Sequence, residues 1–149
     1  MPQKKIIVTK QAPAAKGPYS QAVVAGDLVF VAGQGPVDPA SGHFRLGDIG
    51  SECELTLKNI EAILKAAGTT LANVVQCTVY LSDLTDFQAM NEVYSRFFPH
   101  PYPARTTIQA GNLLHDIKVE IDAVALLPSG KHTRSLRQRT ALPRGRPRR

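Results

Sequence analysis

At 149 residues the chain can bury the core of one domain and is too short for two ordinary ones. Its formal charge of +6 is unevenly spread: residues 131–149, KHTRSLRQRTALPRGRPRR, carry eight Lys and Arg and no acid, while residues 1–130 carry ten basic and twelve acidic side chains, a net −2. No apolar run approaches a membrane span, and four scattered histidines (His43, His100, His115, His132) form no HxxxH or HExxH, which leaves a metal site little support.

The opening MPQKKIIVTK has no 7-residue apolar stretch, so a soluble, cytoplasmic protein with no membrane partner is the expectation. KIIVT predicts a short strand, and YSQAVVAGDLVFVAG predicts a hairpin, two apolar β-rich runs around Gly26-Asp27. GPVDPASGH is loop. Ser51 to Glu54 has the form of a capping box, and Cys53, Leu57, Ile60, Leu64 and Ala67 step by four and three as one buried helical stripe closed by Gly68. NVVQCTVYLS predicts the next strand, with Val75, Cys77, Val79 and Leu81 inward and Val74 and Tyr80 turned the other way. Cys53 and Cys77 lie 24 apart without CxxC spacing and read as reduced thiols on apolar faces of an intracellular protein.

Thr85 to Gln88 has the form of a second capping box, opening a helix with Phe87, Met90, Tyr94 and Phe97 on one face, stopped by Pro99. Pro99, Pro101 and Pro103 force an extended entry into a strand at 104–109, with Arg105 at its mouth. There a guanidinium is either a solvated edge charge or a fixed fork for an anion. The last strand, 117–127, alternates: Ile117, Val119, Ile121, Ala123 and Ala125 on one face, Lys118, Glu120, Asp122, Val124 and Leu126 on the other. Taken alone, the charged set is a solvated stripe; packed against a neighbour, its acids must be paired or functional.

The order β-β-β-α-β-α-β-β predicts an α+β sandwich, a mixed sheet with its helices on one face. LVFVAG is apolar on both sides, and a half-apolar second face is covered either by a loop or, more economically, by another subunit. The basic tail, 131–149, is expected to be disordered. It is either a solvated extension or an arm for nucleic acid or acidic membranes, and no aromatic interleaves its charges for base stacking.

APAAKGPYSQAV, AGQGPVDP, LKNIEAILKAAG, VYLSDLTDFQAMNEVY, YPARTT and KVEIDAVA together resemble the reactive intermediate deaminase (Rid, YjgF-type) family over residues 4–127. The resemblance implies a single domain over 1–130 with a chorismate-mutase-like fold, a mixed six-stranded sheet with two helices on one face. It implies a homotrimer with clefts between subunits, and cofactor-independent hydrolysis of 2-enamino and 2-imino carboxylates to a 2-keto acid and ammonia. Carried over, Arg105 grips the substrate carboxylate, Glu120 activates water, and Tyr19 of GPYSQ lines the cleft as a second catalytic group. Gly33, Asn91 and Thr107 complete the substrate site. A core ring is the competing reading for Tyr19, and a structural bond on the helix for Asn91. Three departures accompany the likeness: Ala32 stands where the family has a serine, Thr107 where a cysteine is frequent, and Leu114 where a proline is usual. A non-catalytic carboxylate- or partner-binding oligomer and an RNA-acting translation inhibitor are the rival functions.

Overall fold

The computed structural model describes residues 3–128; the predicted basic tail lies outside them. Six strands and two helices follow in the expected order: β1 (Lys4–Ile7), β2 (Ala22–Ala25), β3 (Leu28–Gln34), α1 (Ile49–Ala67), β4 (Val74–Leu81), α2 (Phe87–Phe97), β5 (Ala104–Gln109) and β6 (Val119–Leu126). The sheet runs β1-β2-β3-β6-β4-β5. Every neighbouring pair is antiparallel except β4 and β5, because α2 carries the chain back to the same end of the sheet.

The α+β architecture is as predicted, with both helices on one face. Val29, Val31, Cys77, Val79, Leu81, Val119, Ile121, Ala123 and Ala125 are buried there, beneath the stripe of Cys53, Leu57, Ile60 and Leu64. Each fully buried aliphatic side chain is worth about 1.5–3 kcal/mol, so this layer carries most of the stability. At the hairpin Gly26 takes φ +60°, and at the end of α1 Gly68 takes φ +88° with its N–H on the Leu64 and Lys65 carbonyls.

Three local expectations are corrected. Asp48, not Ser51, caps α1: its side chain accepts the Ser51 N–H at 2.8 Å, and Ser51 lies inside the first turn. Thr85 likewise sits within a 3-10 turn, Leu84–Asp86, where Asp83 accepts its N–H at 2.8 Å, and α2 begins only at Phe87. In both places an aspartate three or two residues upstream reaches the orphan amide first. On β4, Val74 is buried and Val75 exposed. The pairing with β6 shifts between Val74 and Gln76, and the bulge inverts the alternation at its start.

Two buried polar side chains fix the segments that bear on function. Glu52 accepts the Lys118 N–H at 2.8 Å, the Lys118 ammonium at 3.2 Å and the Gly47 N–H at 3.2 Å. A fully buried carboxylate must be paired in this way, and the pairing pins the entry to β6 two residues before Glu120. Gln21 accepts the Thr9 N–H at 2.7 Å and donates to the Thr9 and Pro13 carbonyls, tying down the β1–β2 loop that carries Tyr19.

Candidate active site

The candidate residues fall into separate groups, and sheet register decides which. Arg105 pairs with Cys77 and Thr107 with Val79 across the parallel β4–β5 ladder, so both side chains share the helix-covered face. The Arg105 guanidinium carbon lies 4.7 Å from the Tyr94 ring centroid and 5.5 Å from that of Phe87, and Nη1 is 4.0 Å from Met90 Sδ. Among the described residues no carboxylate is paired with it. A cation left without a counter-ion among ring faces is a ready anion site.

The polar atoms on the same elements support that use. Asn91 Oδ1 and Tyr94 OH on α2 and Thr107 Oγ1 on β5 are buried without a hydrogen-bond partner. Native structures pair the large majority of such groups. The structural helix bond expected of Asn91 is therefore not made through its Oδ1. Beside them, burial pushes the Cys77 thiol up to about 11 and the Cys53 thiol up to about 12. Both cysteines are free and buried, and such thiols are neutral, inert filling.

Glu120 stands on the other face. It pairs with Tyr80 of β4, and Gly33 of β3 lies against it: a Cβ at position 33 would meet the Glu120 carboxyl carbon and Oε2 at 3.0 Å. A side chain at position 33 would press on that carboxyl where it now sits. Burial first, and then the negative charge of Asp122, raise the Glu120 pKa above the ordinary carboxylate range. Asp122 is itself held by the Tyr80 hydroxyl at 3.3 Å and the Thr78 N–H at 3.2 Å. A raised pKa makes the carboxylate a stronger base than an ordinary glutamate, which suits it to proton transfer.

Tyr19 forms a third group. It is 54% exposed, so the core-ring reading is wrong; its hydroxyl accepts the Lys16 N–H at 3.3 Å. It borders a groove of about 670 Å³ lined by Ile6, Val8, Ala14 and Pro39 among others. Leu114, the residue in place of the usual proline, is exposed.

Arg105 and Glu120 thus sit on opposite faces, with β4 between their strands. The usual strand spacing puts β5 and β6 about 10 Å apart, before the thickness of the sheet is added. Sequence reasoning placed Tyr94 in a core stripe and missed its contact with Arg105; the signal was an arginine-bearing strand directly following an aromatic helix face. Among the described residues no group of three His, Cys, Asp or Glu is placed to hold a metal ion, and no helix is long and apolar enough to cross a membrane.

Residues 9–127 match the family model described as Endoribonuclease L-PSP. The chain is 47% identical over 122 residues to a RutC family protein of Pyrococcus horikoshii, covering 82% of this chain and 97% of that one. It is 46% identical over 123 residues to the 2-iminobutanoate/2-iminopropanoate deaminase of Bos taurus, covering 83% and 90%. The crystal structure of Escherichia coli TdcF with bound serine superposes with a TM-score of 0.78 at 40% identity, covering 83% of this chain and 99% of that one. The chain belongs to the Endoribonuclease L-PSP family, the YjgF/Rid group that includes proteins named reactive intermediate deaminases.

Proposed function

We propose that the protein hydrolyses short 2-enamino and 2-imino carboxylates to a 2-keto acid and ammonia, at sites completed between copies of the chain in a homotrimer. The observation that carries the proposal is the division of labour across the sheet: an unneutralised Arg105 on one face and a raised-pKa Glu120 on the other. Each is half of a site for a carboxylate next to a C=N bond. The deaminase names of relatives at 43–46% identity support the same chemistry.

In this mechanism the Arg105 fork takes the substrate carboxylate through two N–H···O bonds, fixing its plane. The enamine tautomerises to the imine, and Glu120 removes a proton from a water as its oxygen bonds to C2. The C=N pair moves onto nitrogen. The protonated acid then returns its proton to that nitrogen; Glu120 next takes the C2 hydroxyl proton and delivers it to the amine as the C2–O bond becomes the ketone, which breaks the C–N bond and frees ammonia. No oxidant or reductant is consumed. Gly33 gives the Glu120 carboxyl room to move between these roles.

The open face supports assembly. Ile6, Val23, Phe30 and Val124 follow one another across β1, β2, β3 and β6 in register, and Ile6, Phe30 and the neighbouring Leu126 are exposed. A contiguous apolar band beside Glu120 is what a second copy would cover, bringing its own Arg105 margin to the acid.

Adding the purified protein to a pyridoxal-phosphate dehydratase acting on serine or threonine tests the proposal. Keto-acid release faster than spontaneous imine hydrolysis is expected. An unchanged rate together with measurable keto-acid binding would leave a carboxylate-binding oligomer, the reading favoured by Ala32, which lacks a hydroxyl beside the site.

A further inference from the structure

We infer that Tyr94 is the positioning residue of the carboxylate grip: its ring, with that of Phe87, forms an aromatic shelf that holds the Arg105 guanidinium in place before any substrate arrives. The inference rests on the reading of Arg105 as the carboxylate ligand and adds to it what keeps that fork from wandering.

Arginine is a long side chain with many rotamers, and a grip that must be ordered at each binding event loses affinity. Proteins commonly order a guanidinium with a carboxylate, but an internal carboxylate would occupy the N–H donors a substrate needs and cancel the charge that attracts it. An aromatic ring attracts the cation through its quadrupole and accepts no strong N–H bond, so apart from the Nη1 donor resting 4.0 Å from Met90 Sδ the N–H fork stays available. The geometry here has that form. The guanidinium carbon is 4.7 Å from the Tyr94 centroid and 5.5 Å from that of Phe87, with no carboxylate paired to it among the described residues.

The shelf is itself rigid. Tyr94 is 5% exposed, and its ring packs on Phe98 with centroids 4.4 Å apart. It sits one helical turn beyond Met90, whose sulfur closes a third side of the guanidinium. The thiols behind it are neutral, so no thiolate competes for the cation. The Tyr94 hydroxyl has no well-formed hydrogen bond; the ring does the positioning, and the oxygen is dispensable to it.

The test uses the full chain with ¹⁵N-labelled arginine, the Arg105 Nε–H signal being assigned by its loss in Arg105→Lys. That signal is expected to be ring-current shifted in the parent and in Tyr94→Phe, and to move toward the position of a free arginine in Tyr94→Leu. The Kd for 2-oxobutanoate is expected to rise roughly 3- to 30-fold in Tyr94→Leu, the range for loss of a cation–π contact. It should stay within about 2-fold of the parent in Tyr94→Phe and rise by less than in Tyr94→Leu in Phe87→Leu. In the imine assay KM should follow Kd while kcat changes little. A residue that only fills the core would not produce this split with rescue by phenylalanine. Tyr94→Leu with the parent signal and the parent Kd would overturn the inference. Should that variant not fold, Tyr94→Met, which keeps an unbranched apolar side chain and removes the ring, decides in its place by the same two readings. A parent that shows the shifted signal, lost in Tyr94→Leu, yet binds no 2-oxobutanoate would uphold the shelf and overturn the deaminase reading instead.

Discussion

The two faces of the sheet are built from the same alternating strands and serve opposite ends. On the face beneath α1 and α2, the inward residues of β3, β4 and β6 are buried hydrocarbon closed off by the chain itself. On the open face, Phe30 and Leu126 remain exposed, and Glu120, Asp122 and Tyr80 form a half-buried polar stripe among them. One face finishes its packing within the molecule, and the other is left unfinished. Arg105 crosses this division: it belongs to the covered face but sits on the edge strand, at the margin where α2 offers rings in place of aliphatic filling. Arg105 apart, the packing residues and the proposed acid therefore lie on different faces, and substitutions on each should fail in different ways.

The largest effect is expected at the acid. Glu120→Gln should lower kcat for imine hydrolysis by roughly 10²–10⁴, the usual worth of general acid–base catalysis, with 2-oxobutanoate affinity nearly unchanged; turnover at the parent rate would remove Glu120 from the mechanism. Next comes the covered face. Leu57→Ala or Ile121→Ala should cost about 2–5 kcal/mol in urea-unfolding stability through a cavity the helices cannot collapse. A loss below about 1 kcal/mol would place the core elsewhere. Val124→Glu, on the open face, should spare the fold but disrupt assembly: sedimentation should give a single chain of 16.1 kDa where the parent sediments as three. A variant that still assembles would break the link between the apolar band and the trimer.

The smallest effect is a pH dependence. The folded state holds the Glu120 proton more tightly than the unfolded chain does. Between the unfolded and the folded pKa only the folded state keeps that proton, so stability declines as pH rises through that window. Above it the ionised carboxylate carries its full desolvation cost. Glu120→Gln should therefore unfold at a slightly higher temperature than the parent at neutral pH. The difference should vanish below the ordinary glutamate range, as thermal melts across pH would show.

Much of this was legible in the sequence because periodicity reports faces directly. The stripe from Cys53 to Leu64 and the alternation from Val119 to Ala125 needed nothing beyond spacing. Local competition was less legible. Ser51 and Thr85 carry the capping-box pattern, yet Asp48 and Asp83 accept the amides, and no pattern announces which of two nearby oxygens wins. The bulge at Val75 was invisible because an apolar run reads the same in either register. For the candidate site, residue types and motif order pointed to Arg105 and Glu120. Their placement on opposite faces depends on the β4–β5 and β4–β6 registers, which are long-range facts. Tyr94 was hidden for a related reason, since a ring under a guanidinium and a ring in a core have the same helical spacing.

The parallel β4–β5 pair has a consequence for the order in which the molecule folds. Phe87, Met90, Tyr94 and Arg105 all lie on one helix and the strand that immediately follows it, so bringing them together needs only short loop closures. Gly33 and Glu120 meet only when β3 and β6 pair across most of the domain, and chain entropy opposes such distant closures more strongly. Synthesis runs the same way, because β6 emerges last. The Arg105–Tyr94 contact is therefore expected to form first and Glu120 to reach its place late, so a nascent chain would hold the proposed carboxylate grip before the proposed acid.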